Sequence, residues 1–469
     1  MTRHTNRGIT TVSHTSCAFA CLAMEGVILA KSEPNSNKRG ELSMHQRHFS
    51  EKRYRLRAGL ITAMAIAALV GYIPGWTVGA SAATPKPITV FLIGDWTGPG
   101  NNLTGIPDSI LAGIDAINAS GGINGHHVKA INCDTQENPS LGGECTEQAI
   151  SAGAVVVIGD TESSQTATDA LLNNAKIPEI GSAILVAEAL EDPLWFDTTG
   201  GPQAAFVGMP EALAAQGAKK VSIIYPTGLG PVDSQLVSAF EEGAKIAKVS
   251  VGNVVGVPLS TSDFAPAVAS ALAGGADGLV AFGLGASEVS LVQAVRAADP
   301  SIPVATGTFT LTPSNISALG SSGNGLTVVG TGAQPTENIP AAKQYRADLK
   351  KYFGSAGLAQ MSDQTFANWI DVQIFKDVAS GLKQVTNKTL YNALKNTDVT
   401  STGGFSPPVN LAQPCKVCGP YVRLLDPTVT FLTLKNGVLT PQKAGEFHNV
   451  FTGKNVQVSA TNGVTISGG

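Results

Sequence analysis

Short, continuous apolar runs alternate with helix-patterned stretches along almost the whole chain after residue 85. ITVFLIG (88–94) precedes SILAGIDAIN, HHVKAINCD (126–134) precedes CTEQAISAG, and AVVVIGD (154–160) precedes SSQTATDALLNNA. The alternation resumes with KKVSIIY (219–225) before SQLVSAFEEGAKIA and DGLVAFG (277–283) before SEVSLVQAVRAA. A strand that is apolar throughout has no solvent face, so these runs predict strands covered by helices on both sides of a parallel sheet. The fold class is doubly wound α/β, with enough units for two sheets. FDTTGGPQAAF (196–206) and GTGAQPTENIP (330–340) interrupt the pattern and are candidate crossings between sheets. RADLKKYF and FANWIDVQIFKDVASGL add two helices, and TVTFLTLKNGVLTP (428–441) predicts a hairpin turning at Asn436-Gly437. In DAINASGGINGHH, Gly121-Gly122 end the first helix and Asn124-Gly125 form the turn into the next strand. The polar tail from Phe451 is expected to fray.

The first 82 residues break this pattern. Lys52, Arg53, Arg55 and Arg57 precede an apolar run from Ala58 to Val70, and Ala80-Ser81-Ala82 follows. That is the layout of a secretory signal peptide cleaved near Ala82, and the run is short of the ~20 residues a spanning helix needs. A charged leader normally starts within a few residues of the initiator, which points to Met44 as the start and to residues 1–43 as a spurious extension. Removing residues 1–82 leaves 21 basic against 31 acidic side chains, a net charge of −10. With 43% hydrophobic and 14% charged residues overall, the chain reads as globular rather than disordered. No basic patch that would track a nucleic-acid backbone follows residue 60. Four cysteines remain, Cys133, Cys145, Cys415 and Cys418, and an even count in an exported chain reads as disulfides. Cys415-x-x-Cys418 is alternatively half a zinc site, but no second pair has matching spacing.

Catalytic constellations are missing. There is no G-x-S-x-G elbow, phosphate-binding loop or H-E-x-x-H helix, and GLGASE (283–288) lacks the third glycine of a dinucleotide fingerprint. His126, His127 and His448 are the histidines left after the leader. Glu241-Glu242 reads as a solvated helix face. These absences do not exclude catalysis but leave an enzyme without an advocate, and the residues call for no cofactor and no metal.

DAINASGGINGHHV, following a strand that ends in TGP (97–99), resembles the first lobe of the branched-chain amino-acid-binding proteins of ABC importers, which are type I periplasmic binding proteins. The resemblance continues through AVVVIGDTESSQT, IPEIGSAI, DPLWFDTTGG, GAKKVSIIY and GADGLVAFG and covers about residues 87–450. It implies two Rossmann-like lobes with parallel sheets, joined by a three-stranded hinge with crossings near 203, 330 and 422. Lobe 1 is then 83–203 and 331–422, lobe 2 is 204–330 and 423–450, and 451–469 is a flexible tail. Ligands of open parallel sheets sit off the carboxyl ends of the strands. Those ends are 95–103, 160–164, 181–185, 225–229, 283–287 and 308–309, which places Asp160 and Thr161 among the candidates.

On this resemblance Ser163 matches the serine that binds the ligand carboxylate, at a helix start where free N–H groups favour an anion. Ser163 and Ser164 also suit plain helix capping. Ala183 matches the carbonyl that receives the ligand ammonium. The threonine that holds both ends of the amino acid corresponds to Leu185, and the acidic partner of the ammonium to Phe309. Pocket aromatics correspond to Leu103, Leu229 and Leu284, while Trp96 and Tyr225 stand at strand ends where they could stack on a ligand or pack a loop. A buried ammonium without its carboxylate is unfavourable, so these substitutions point to a small, apolar ligand, with a carboxylate or carbonyl near Ser163, rather than an ordinary free amino acid. A disulfide in this lobe is frequent in the family, and Cys133–Cys145 would join a strand to the following helix; Cys415–Cys418 has no counterpart. The implied role is an exported solute-binding protein, monomeric, with an ABC permease as membrane partner and no nucleic acid. The alternatives are the ligand-binding part of a signalling system, or branched-chain amino-acid binding itself.

Overall fold

The computed structural model describes residues 85–98, 102–161, 164–181, 189–398, 400–458 and 464–467. The expected extension, leader and cleavage point lie outside these residues, as do Ser163, Ala183 and Leu185.

The first lobe begins with β1 (Ile88–Gly94), α1 (Gly105–Ala119), β2 (Val128–Asp134), α2 (Pro139–Ser151), β3 (Ala154–Thr161), α3 (Gln165–Ala175), β4 (Glu179–Ile180) and β5 (Trp195–Phe196). Their order in the sheet is β2-β1-β3-β4-β5, every pairing parallel. All seven residues of β1 are buried, as its unbroken apolar run requires. On α1, Ile106, Ile110, Ile114 and Ile117 fall on one stripe and are all buried. The helix stops where expected. Gly121 and Gly122 have φ of 98° and 75°, and a Cβ on Gly122 would stand 2.1 Å from the His126 carbonyl oxygen. Asn124 and Gly125 then turn at φ 52° and 79° between the bridged Ile123 and His126.

The second lobe follows with α4 (Gly201–Ala214), β6 (Lys220–Thr227), α5 (Pro231–Ala247), β7 (Ser250–Pro258), α6 (Ala265–Leu272), β8 (Gly278–Ala281), α7 (Ala286–Ala298), β9 (Val304–Gly307), α8 (Pro313–Leu319) and β10 (Thr327–Gly330). The chain returns to the first lobe as α9 (Pro340–Ala359), α10 (Asp363–Ser380) and α11 (Asn387–Leu394). α9 and α10 join α1 in a core containing Tyr345, Phe366, Trp369 and Phe405. The last strands, β11 (Thr428–Lys435), β12 (Val438–Pro441), β13 (Glu446–Asn449), β14 (Lys454–Val458) and β15 (Val464–Ser467), all belong to the second sheet. β6 to β10 are parallel, and β11 closes antiparallel on β10. The β11–β12 hairpin turns at Asn436 (φ 50°) and Gly437 (φ 76°), as its Asn-Gly pair predicts.

Two boundaries differ from expectation. The tail from Phe451 contributes β14 and β15 rather than fraying, because the free edge of β13 offers backbone partners to Lys454–Val458. The first crossing lies at 197–200, ahead of position 203. Gly201-Pro202 already starts α4, where proline is tolerated because the first-turn N–H has no helical partner. The first and third crossings run side by side: Asp197 bridges Leu424 in parallel, and a Cβ on Gly200 would come within 2.9 Å of the Thr428 carbonyl oxygen. Arg423 fixes the pair, donating from Nε to the Trp195 carbonyl at 2.7 Å with its guanidinium over the Phe196 ring. Both expected disulfides, Cys133–Cys145 and Cys415–Cys418, are formed. Among the described residues no helix is long and apolar enough to cross a membrane.

Candidate functional site

Where the crossings meet, the carboxyl ends of the two sheets face each other across a narrow cleft of about 40 Å³. From the crossings and the second lobe come Thr199, Gly201, Pro202, Thr308, Phe309 and Thr331. The first lobe supplies Asp363, Gln364, Ala367, Asn368 and Asp371. These five fall at i, i+1, i+4, i+5 and i+8, so they form one face of α10. The helix starts firmly, because Ser362 and Thr365 form a reciprocal capping box.

Two hydroxyls tie this helix to the rest of the cleft. Thr308, at the end of β9, donates to Asp363 Oδ2 at 2.5 Å, and Thr198 of the first crossing donates to Asp371 Oδ1 at 2.5 Å. Burial pushes the Asp363 carboxyl up, against the hydrogen bonds it receives from Thr308 and from backbone N–H groups. No lysine, arginine or histidine lines the cleft among the described residues. Two glycines let α10 approach the strand ends. Gly159 has φ 77° with Ile110 and Asn368 pressed against it. Gly181 has φ 72°, and a Cβ there would lie 1.9 Å from Asp371 Oδ2.

The sequence-derived candidates separate into distinct groups. Phe309 lines the cleft and packs its ring against Phe206 and Phe282, with centroids 5.8 and 5.6 Å away. Tyr225 and Leu284 are half-buried beside it on the second-lobe core. Leu229 is half-buried, and its N–H donates to Asp233 Oδ1. Trp96 is turned inward, 2% exposed, and donates from Nε1 to Asn132 at 2.8 Å. A glycine at position 94 gives its ring room, since a Cβ there would be 2.4 Å from it. Trp96 is therefore a core residue rather than a stacking platform. Leu103 donates its N–H to the Trp96 carbonyl and packs on the same core. Thr161 continues the sheet, its carbonyl accepting from Asp95 N. Ser164 sits at the N-cap of α3 with its hydroxyl against Gly142 of α2.

Asp160 belongs to a different constellation. Its carboxylate, Asp169 and Glu179 bring oxygens within 4.8 Å of one another, all three buried. Burial first, then the charges of Asp169 and Asp160, holds Glu179 well above the ordinary carboxylate range. Protonation thus relieves the repulsion without a cation.

Sequence reasoning missed the α10 face. FANWIDVQIF reads as an ordinary helix, and the available signal was four polar side chains, Asp363, Gln364, Asn368 and Asp371, falling on one face of it.

The family profile for periplasmic binding proteins matches residues 87–413. Among curated proteins none matches. Similar solved structures include an extracellular ligand-binding receptor from Verminephrobacter eiseniae, 18% identical, covering 76% of this chain and 99% of that one, with a TM-score of 0.66. A fatty acid ABC transporter substrate-binding protein from Thermomonospora curvata is 14% identical over 76% of this chain and 92% of its own, at 0.64. A solute-binding protein of an ABC transporter from R. palustris, in complex with 4-hydroxybenzoate, is 21% identical over 76% of this chain and 96% of its own, at 0.63. At these identities the likeness establishes the fold.

Proposed function

The chain belongs to the periplasmic binding protein family, and from that premise we propose that it is the monomeric solute-binding component of an ABC importer, delivering a small organic molecule to a membrane permease. Members of the family bind solutes rather than transform them, and family membership implies a location outside the cytoplasm. The observation that carries the proposal is the cleft beside the first and second crossings, lined from both lobes at the carboxyl ends of their sheets. A ligand touching both walls stabilises the arrangement in which they approach, and the permease reads that arrangement.

Phe309 shapes the ligand. Its ring forms part of the second-lobe wall, where the resemblance leads one to expect a carboxylate, so that wall offers apolar contact and no partner for an ammonium. The ligand is accordingly a molecule with an apolar body, and not an ordinary free α-amino acid. The fatty acid and 4-hydroxybenzoate named for two structural relatives are compatible in kind. One observation favours the alternative of amino-acid binding: Asp363 and Asp371 bring carboxylates to the cleft from the other wall. Thermal-shift titration separates the two. Aliphatic or aromatic acids, alcohols or amides are expected to raise Tm at micromolar concentration with leucine and valine inert; micromolar leucine or valine binding overturns the ligand assignment.

A further inference from the structure

On the α10 wall of the cleft, one buried acceptor, the side-chain oxygen of Asn368, has no donor. Asn368 is 4% exposed. Its amide nitrogen donates to the Gln364 carbonyl one turn back at 2.9 Å, which fixes the orientation of the amide. Its Oδ1 is then left buried with no hydrogen bond, beside Gly159, where a Cβ would lie 3.2 Å away. A buried acceptor with no partner is unfavourable by more than an average hydrogen bond is favourable, so such a group implies something that supplies the missing donor. On either side along the helix stand Asp363 and Asp371, each receiving a threonine hydroxyl at 2.5 Å. No lysine, arginine or histidine stands among the described residues of the lining to supply that donor.

From this geometry we infer that the α10 face is the subsite for the hydrogen-bond-donating end of the ligand, a hydroxyl, amide or ammonium group, with Asn368 Oδ1 as its acceptor, and that it excludes the ligand's carboxylate. The inference rests on the proposal that the cleft binds a small organic solute. It adds polarity to that ligand: the apolar body lies against Phe309, and the donor faces the first-lobe helix. An ionised carboxylate of the same molecule points away from Asn368 Oδ1, since it has no proton to donate to a buried acceptor.

The test is a thermal-shift and calorimetric screen of the purified protein against matched pairs that differ by one donor, such as 4-hydroxybenzoate with benzoate, 4-hydroxyphenylacetate with phenylacetate, and 10-hydroxydecanoate with decanoate. The donor-bearing member is expected to bind about 10- to 100-fold more tightly, the range set by leaving one buried acceptor unmet. Asn368→Leu, close in volume, is expected to bring that ratio near one by weakening only the donor-bearing member. Asn368→Asp retains an acceptor oxygen and is expected to preserve the preference. Equal affinity of both members for the unaltered protein, or an unchanged ratio in Asn368→Leu, overturns the inference while leaving the cleft-binding proposal intact. No binding by any pair counts against the cleft-binding proposal and the inference together.

Discussion

Glu288 shows how strongly this fold holds protons on buried carboxyls. Oε2 accepts the Gly283 N–H at 2.6 Å and Oε1 accepts the Thr306 hydroxyl at 2.8 Å, yet burial outweighs both bonds and pushes the carboxyl up to about 7 from an ordinary 4.5. The folded chain therefore binds this proton more tightly than the unfolded chain. Its contribution to stability is full below pH 4.5 and is lost as pH rises through about 7, for a total of about 3 kcal/mol. In Glu288→Gln the amide oxygen still accepts from Gly283, and the NH₂ faces the Thr306 hydroxyl. Chemical denaturation is expected to show this variant near neutral at pH 5 and about 2–3 kcal/mol more stable than the parent at pH 8. Equal stability differences at the two pH values would refute the assignment.

The elements were legible in proportion to how much their hydrophobic pattern decided. β1, β3, β6 and β8 are built on apolar runs, and each is paired in parallel with a neighbour on either side. The turns at Asn124-Gly125 and Asn436-Gly437 follow from residues that tolerate positive φ. α10 was legible as a helix but not as a wall of the site, since only the chain's return from the second lobe brings its polar face to the strand ends. Trp96 was left open between stacking and packing for a related reason: a strand-end aromatic can turn to solvent or back over its own strand, and Gly94 leaves room for the latter. The docking of α10 can be tested at Gly181, where any Cβ meets Asp371. Gly181→Ala combines backbone strain with overpacking and is expected to lower stability by about 2–4 kcal/mol. Gly121→Ala, at φ 98° but in open space, is expected to lose only about 1–2 kcal/mol. Urea unfolding of the two variants checks the contrast, and similar losses would contradict the packing role.

At the scale of the whole molecule, buried carboxyls recur where the lobes join. Burial first, with Asp371 and Asp426 adding to it, raises Asp197 well above its ordinary range, and burial brings Asp426 to about 7. With Glu179 and Glu288 these groups all lose stabilisation as pH rises, so Tm is expected to fall between pH 5 and pH 8, and a rise over that interval would contradict the protonation states described here. The order of strand and helix units made two sheets readable and the family resemblance implied two lobes, whereas the position of the first crossing depended on the start of α4 at Gly201-Pro202. The central claim is that a small solute sits between the lobes and stabilises their closed arrangement. Small-angle X-ray scattering, with and without a saturating amount of the solute giving the largest thermal shift, tests it most directly. The radius of gyration is expected to fall on binding; an unchanged radius at saturation would contradict the account.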